Sequence, residues 1–128
     1  MQVKLKSAGM TLIEIMIVIV IVGILAGVAY PNFVDYVREA RRADAMGQLL
    51  TLQMAQEEYR LKNAAYANIA TLGITLSSDF YDFSVTNIGA ETYTLTATAK
   101  GTQVNDSGCT SMTLNQNDQK APAACWER

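Results

Sequence analysis

The chain has 128 residues, half of them apolar, with 10 basic residues against 12 acidic ones and no histidine. The acidic balance argues against nucleic acid as a main partner, which would need clustered lysine and arginine. Without histidine the commonest general base and metal ligand is missing. No nucleophile, base and oxyanion set can be assembled from what remains, so no enzyme activity, catalytic residue, cofactor or metal site is expected.

Residues 1–9, MQVKLKSAG, are basic through Lys4 and Lys6 and carry no acid; the positive-inside tendency would keep them in the cytoplasm. From Met10 to Tyr30 the chain is apolar with a single charge, Glu14, and reaches the ~20 residues a helix needs to cross a bilayer. Gly23 and Gly27 stand four apart and Pro31 four further on. Proline at 31 removes the hydrogen bond to the Gly27 carbonyl, and the glycines weaken the helix beside it. The stretch is therefore one where a helix can bend or locally melt, although the same spacing also suits an ordinary helix-packing face.

Beyond Pro31 the pattern stays helical and becomes amphipathic. Val34, Val37, Ala45, Leu49, Leu52, Ala55 and Tyr59 share a stripe interrupted by Arg38 and Arg41. Nothing breaks it before about Asn63, so the spacing predicts one helix over residues 10–62, roughly 80 Å long at ~1.5 Å per residue. Arg38, Arg41 and Arg42 are the basic cluster, suited to anionic headgroups or the acids of neighbouring chains, or to a charged face served by Glu39 and Asp44.

Residues 63–79 read as a loop. The period then changes: FYDFSVT (80–86) and TYTLTATAK (92–100) alternate, with Tyr93, Leu95, Ala97 and Ala99 on one face. NIGAE between them suits a hairpin, SMTLNQ (111–116) a third strand, and residues 117–128 a closing loop. Cys109 and Cys125 lack the companions of a zinc site and form no C-x-x-C motif; in an exported chain they read as one structural disulfide. Asp79, Asp82, Asp106 and Asp118 match no metal loop and read as solvated turn residues. The fold class expected is α+β: a long N-terminal helix, apolar then amphipathic, packed on an antiparallel sheet of three or four strands with a C-terminal disulfide-bounded loop.

Gly9 followed by MTLIEIMIVIVIVGILAGVAYP is similar to the prepilin signature of type IV pilins, a basic leader ending in glycine and then an apolar helix with an early glutamate. The resemblance covers the whole chain and includes Ala-Gln-Glu-Glu-Tyr at 55–59, the loop with Tyr66 and Gly73, the TYTLTATAK strand and the pair ending in Cys125-Trp126. Met10 stands where phenylalanine is usual. The C-terminal half looks most like the short type IVa minor pilins.

The resemblance implies a leader at 1–9, a membrane and filament-core helix at 10–30, an amphipathic half-helix at 31–62 and a head at 63–128. It implies that prepilin peptidase cuts between Gly9 and Met10 and that Met10 is then N-methylated. Glu14 would pair with the terminal amine of a neighbouring subunit. A carboxylate at a helix centre in lipid costs ~2.5–3.5 kcal/mol, less near an interface, and a correctly placed amine offsets that cost and selects one stagger. The implied partners are other pilins, the peptidase, the inner-membrane assembly machinery and, before assembly, the inner membrane of a Gram-negative bacterium; the final location is the extracellular filament. A minor pilin is the reading the short head favours. A major pilin, a type II secretion pseudopilin and a DNA-uptake receptor pilin are the rivals. The cysteine pair speaks against the pseudopilin, and the scarcity of bases after Lys62, Lys100, Lys120 and Arg128 alone, speaks against the receptor.

Overall fold

A computed structural model describes residues 9–127; Lys4 and Lys6 of the expected leader lie outside the described residues. The chain divides into two compact units, Met1–Tyr36 and Val37–Arg128, and helix α1 (Leu12–Lys62, 51 residues) contributes to both. It starts within two residues of the expected position and ends where expected. In the first unit every side chain from Leu12 to Tyr30 is exposed, and the helix is long and apolar enough to cross a membrane. Pro31 lies inside α1, and Asn32 Nδ2 donates to the Val28 carbonyl at 3.2 Å.

In the second unit α1 buries Ala45, Leu49, Leu52 and Gln56. Their spacing of four, three and four residues places them on one helical face. Ala45, Leu49 and Leu52 join one core with Tyr81, Tyr93, Leu95, Ala97, Met112 and Leu114. Leu49 and Leu52 are fully buried, each worth ~1.5–3 kcal/mol in removal from water. Val34, Val37, Ala55 and Tyr59 of the expected stripe stay half-buried.

The sheet holds β1 (Tyr81–Thr86), β2 (Thr94–Ala99), β3 (Ser111–Asn115) and β4 (Lys120–Ala121) in that order, antiparallel throughout. Alternation sets its two faces. Tyr93, Leu95, Ala97 and Ala99 are buried, as their period demands, while Ser84, Thr96 and Thr113 pair across the outer face. The fourth strand is short and falls where sequence reading places only a loop, followed by helix α3 (Ala123–Trp126). The turn before it has Asp118 at φ 56°, a left-handed position that glycine usually fills and aspartate tolerates. Asn115 Oδ1 closes that turn by accepting from the amides of Asn117 and Gln119.

Residues 63–79 are less irregular than expected. They carry a one-turn helix, α2 (Ile69–Leu72), capped by the Asn68 carboxamide at 2.8 Å from the Thr71 amide and ended by Gly73 in the left-handed conformation. Gln56 fastens this segment to α1: its amide donates to the Ala67 carbonyl and its carbonyl accepts from the Ala67 amide. Both groups are buried, so Gln56→Ala leaves two backbone groups unpaired at ~1–3 kcal/mol each. The variant is expected to lose about 2–6 kcal/mol of stability, read as a lower urea midpoint by near-ultraviolet circular dichroism. An unchanged midpoint contradicts this role.

Candidate functional site

Two places carry the candidate residues: the start of α1 and the disulfide-bounded part of the head. At the first, Gly9 and Met10 are exposed and precede any regular structure. Glu14 lies in the first turn, where a carboxylate meets the positive end of the helix dipole. Its Oε2 lies 3.4 Å from the Thr11 amide, and the Glu14 amide lies 3.3 Å from Thr11 Oγ1. Together these form a capping box. The spacing Thr-x-x-Glu ahead of an apolar run carries that signal, and sequence reading passed over Thr11. Gly23 and Gly27 have open space where a Cβ would stand.

At the second, Cys109 and Cys125 are bonded, with Cα atoms 5.6 Å apart. The pair closes a loop whose ~15 residues stabilise by about 3 kcal/mol on the chain-entropy account. Arg42 reaches this loop from α1. Its Nη1 donates to Cys109 Sγ at 3.2 Å, and its Nε lies 3.1 Å from Asp106 Oδ2, an ion pair without hydrogen-bond alignment. Gln103, fully buried at the 3-10 turn Gly101–Asn105, places Nε2 within 3.2 Å of the Arg38 carbonyl, 3.0 Å of Tyr81 Oη and 3.0 Å of Asp106 Oδ2. Arg41 donates to Thr102 Oγ1 at 3.1 Å and stacks over Phe80, 3.6 Å from the ring centroid.

Neither sequence reading of the basic cluster anticipates this. Arg41 and Arg42 turn inward to the head, because a buried acid, a ring and a disulfide sulfur lie within their reach, and Gln103, Asp106 and Thr102 had no periodic signal to mark them. Of the four aspartates read as solvated turn residues, Asp79, Asp82 and Asp118 are exposed, Asp82 pairing with Lys100 at 2.7 Å and Asp118 with Lys120 at 3.6 Å, while Asp106 is buried against Arg42. Lys120 also lies over Trp126, 5.6 Å from the ring.

A third cluster ties the end of α1 to the β1–β2 turn. Glu57 Oε1 accepts from Tyr66 Oη at 3.2 Å and Tyr93 Oη at 3.3 Å, and the two rings meet edge to face at 4.5 Å. Arg60 packs over Tyr66 and donates to the Ala90 carbonyl. Burial pushes the Tyr93 phenol up to about 12, with the Glu57 charge acting in the same direction. Tyr66 is raised by the same two causes.

Residues 31–113 match the family described as "Type IV minor pilin ComP, DNA uptake sequence receptor". This chain belongs to the type IV pilin family. Residues 4–30 of the pilin match the prokaryotic N-terminal methylation motif. It is 36% identical over 99 residues to a fimbrial protein of Neisseria meningitidis serogroup A, covering 77% of this chain and 58% of that one. With the type IV major pilin PilE of Neisseria gonorrhoeae the identity is 38% over 98 residues, covering 76% and 59%. With the type II secretion system core protein G of Escherichia coli K12 it is 39% over 61 residues, covering 48% and 42%. The pilin thus spans less than two thirds of the length of these relatives.

A solved type IV pilin from Shewanella oneidensis superposes with a TM-score of 0.58 at 26% identity, covering 71% of this chain and 99% of that one.

Tyr93 sets an alkaline limit on the pilin head. A phenol raised in the fold stays neutral there while the unfolded chain ionises near its ordinary 10.0. The stability it carries is therefore complete below about pH 10 and is lost as pH rises towards 12. Tyr93→Phe is expected to flatten the fall of the urea midpoint over that interval. A fall as steep as that of the unaltered chain contradicts the assignment.

Proposed function

We propose that this chain is a minor pilin that enters a type IV pilus or primes its assembly. The observation that carries the reading is the match of residues 31–113 to a minor-pilin family, joined to an N-terminal methylation motif over residues 4–30. In this account prepilin peptidase cuts between Gly9 and Met10 and Met10 is N-methylated. The exposed position of both residues ahead of α1 suits a protease. The mature chain waits in the inner membrane of a Gram-negative cell, held by the apolar helix, until the inner-membrane assembly machinery moves it into the filament and out to the cell surface. It acts as a structural subunit and not as an enzyme.

Glu14 pairs with the Met10 amine of a neighbouring subunit. Its own capping bonds to Thr11 are long, so a cationic amine competes for the carboxylate with advantage. Gly23, Gly27 and Pro31 mark where α1 yields on packing into the filament: proline removes one helical bond, and neither glycine has a side chain to resist. A major pilin shares all of these features, and similarity to major pilins is of the same order. The Cys109–Cys125 loop supports a pilin over a type II secretion pseudopilin.

A second reading follows from the words of the matched family, a DNA uptake sequence receptor. Against it stand the head's own charges. Lys100 and Lys120 are each paired with an aspartate, and Arg41 and Arg42 are turned inward. A phosphate at either lysine would meet a neighbouring aspartate of like charge, and at Arg41 or Arg42 it would have to displace the bonds into the head. Full-length protein in detergent micelles is expected to show no saturable retention of duplex DNA near 150 mM salt, about physiological ionic strength. Saturable retention that weakens steeply as salt rises would establish the receptor reading instead.

For the assembly account, Glu14→Val is expected to persist in the membrane fraction at normal level while its share of sheared filaments falls about tenfold. Normal incorporation contradicts the register role. Loss from the membrane as well would place Glu14 in folding rather than assembly.

A further inference from the structure

The sheet has two edges, and they are built differently. The β4 edge has only two residues, Lys120 and Ala121, and Pro122 follows at once; shortness, lysine and proline are the usual defences against further strand pairing. The β1 edge has six residues, YDFSVT, with neither lysine nor proline. Its one charge, Asp82, is on the outer face and bonded to Lys100.

The polar groups along that edge can be assigned. The Lys100 amide donates to the Phe80 carbonyl at 2.9 Å, which makes Phe80 and Lys100 a hydrogen-bonded pair. Pairs alternate in an antiparallel ladder, so Asp82, Ser84 and Thr86 bond to β2 while the amides and carbonyls of Tyr81, Phe83 and Val85 point away from it. The bond from the Ala99 amide to the Thr110 carbonyl on the other side of β2 gives the same alternation. Ser78 Oγ occupies the Tyr81 amide at 3.2 Å. Among the described residues, nothing bonds to the outward amides and carbonyls of Phe83 and Val85.

Beside this open row lies a groove of about 470 Å³, lined by Ile69, Leu76, Ser78, Tyr81, Phe83 and Lys100 among others. The inward side chains of β1, Phe83 and Val85, are half-buried, which leaves apolar surface for alternate residues of an added strand. Acids outnumber bases in the chain after Lys62; Asp79 is exposed just before β1, and Asp82, also exposed, shares its charge with Lys100.

We propose that the β1 edge is a docking surface for an extended segment of another protein, one that adds as a fifth strand, alternates apolar and small polar residues, and carries lysine at its ends. Backbone bonds to Phe83 and Val85 give the affinity, and the groove and the acidic surroundings select the sequence. The inference rests on the sheet edge alone and is independent of the filament reading.

The test uses the full mature chain in detergent micelles and the acetylated, amidated peptide Lys-Thr-Val-Thr-Val-Thr-Lys, followed by amide hydrogen exchange in nuclear magnetic resonance. Saturating peptide is expected to slow exchange at Phe83 and Val85 at least tenfold and to leave Asp82 and Ser84, already in the ladder, unchanged. The same peptide N-methylated on alternate residues is expected to give no protection in the methylated register facing β1, with the protein untouched. Val85→Pro removes an outward amide at an edge strand, where proline is tolerated, at the cost of the half-buried Val85 side chain, and is expected to weaken binding about tenfold while the sheet amides of Asp82 and Ser84 stay protected. No protection at Phe83 and Val85, or protection undiminished by N-methylation in either register, overturns the proposal. Protection that appears without peptide and grows with protein concentration also overturns it, by assigning the edge to a second copy of this chain.

Discussion

The head depends on one contact: the face of α1 that carries Ala45, Leu49, Leu52 and Gln56 seated on the inner face of a four-stranded sheet. An antiparallel sheet this small has one apolar face and cannot bury it alone. The helix covers it, and three apolar residues and one glutamine between positions 45 and 56 suffice. Gln56 is the informative member. A polar side chain on the core stripe would be costly without partners, yet here it closes both hydrogen-bonding groups of Ala67. The same helical face thus builds the core and fixes the loop that enters β1.

Around that contact the polar residues bind the head to its own helix. Arg42, Asp106, Gln103 and Tyr81 form one connected set next to the Cys109–Cys125 bond, and Glu57, Tyr66, Tyr93 and Arg60 form another at the opposite end of the sheet. A small domain gains relatively little from its core, and such sets, with the disulfide, compensate. Arg41 and Arg42 turn into the head, while Lys100 and Lys120 pair with aspartates at its surface.

The sequence was most informative where one period governed a long stretch. The apolar run, the helix over nearly all of residues 10–62 and the alternation of Tyr93, Leu95, Ala97 and Ala99 were legible because every residue repeats the same constraint. Short elements were not: α2, β4 and α3 hold four, two and four residues, too few for any period to declare itself. Asn68 as a cap and Asp118 at positive φ carried local turn signals that surface only once the chain reversal is known. The inward path of Arg41 and Arg42 could not be read at all, since partners some sixty residues away leave no mark on local spacing. Glu14 was legible as an anomaly, a carboxylate in an apolar run. Thr11, which completes its capping box, was masked by the more conspicuous neighbour.

The central claim is that this chain is processed at Gly9–Met10 and built into a filament as a minority subunit. Quantitative mass spectrometry of filaments sheared from the cell surface, following the peptide that begins at Met10, tests it most directly. The account predicts an N-methylated Met10 peptide at trace level beside an abundant second pilin. An unmethylated or uncut N-terminus, or a Met10 peptide that dominates the filament, would contradict it.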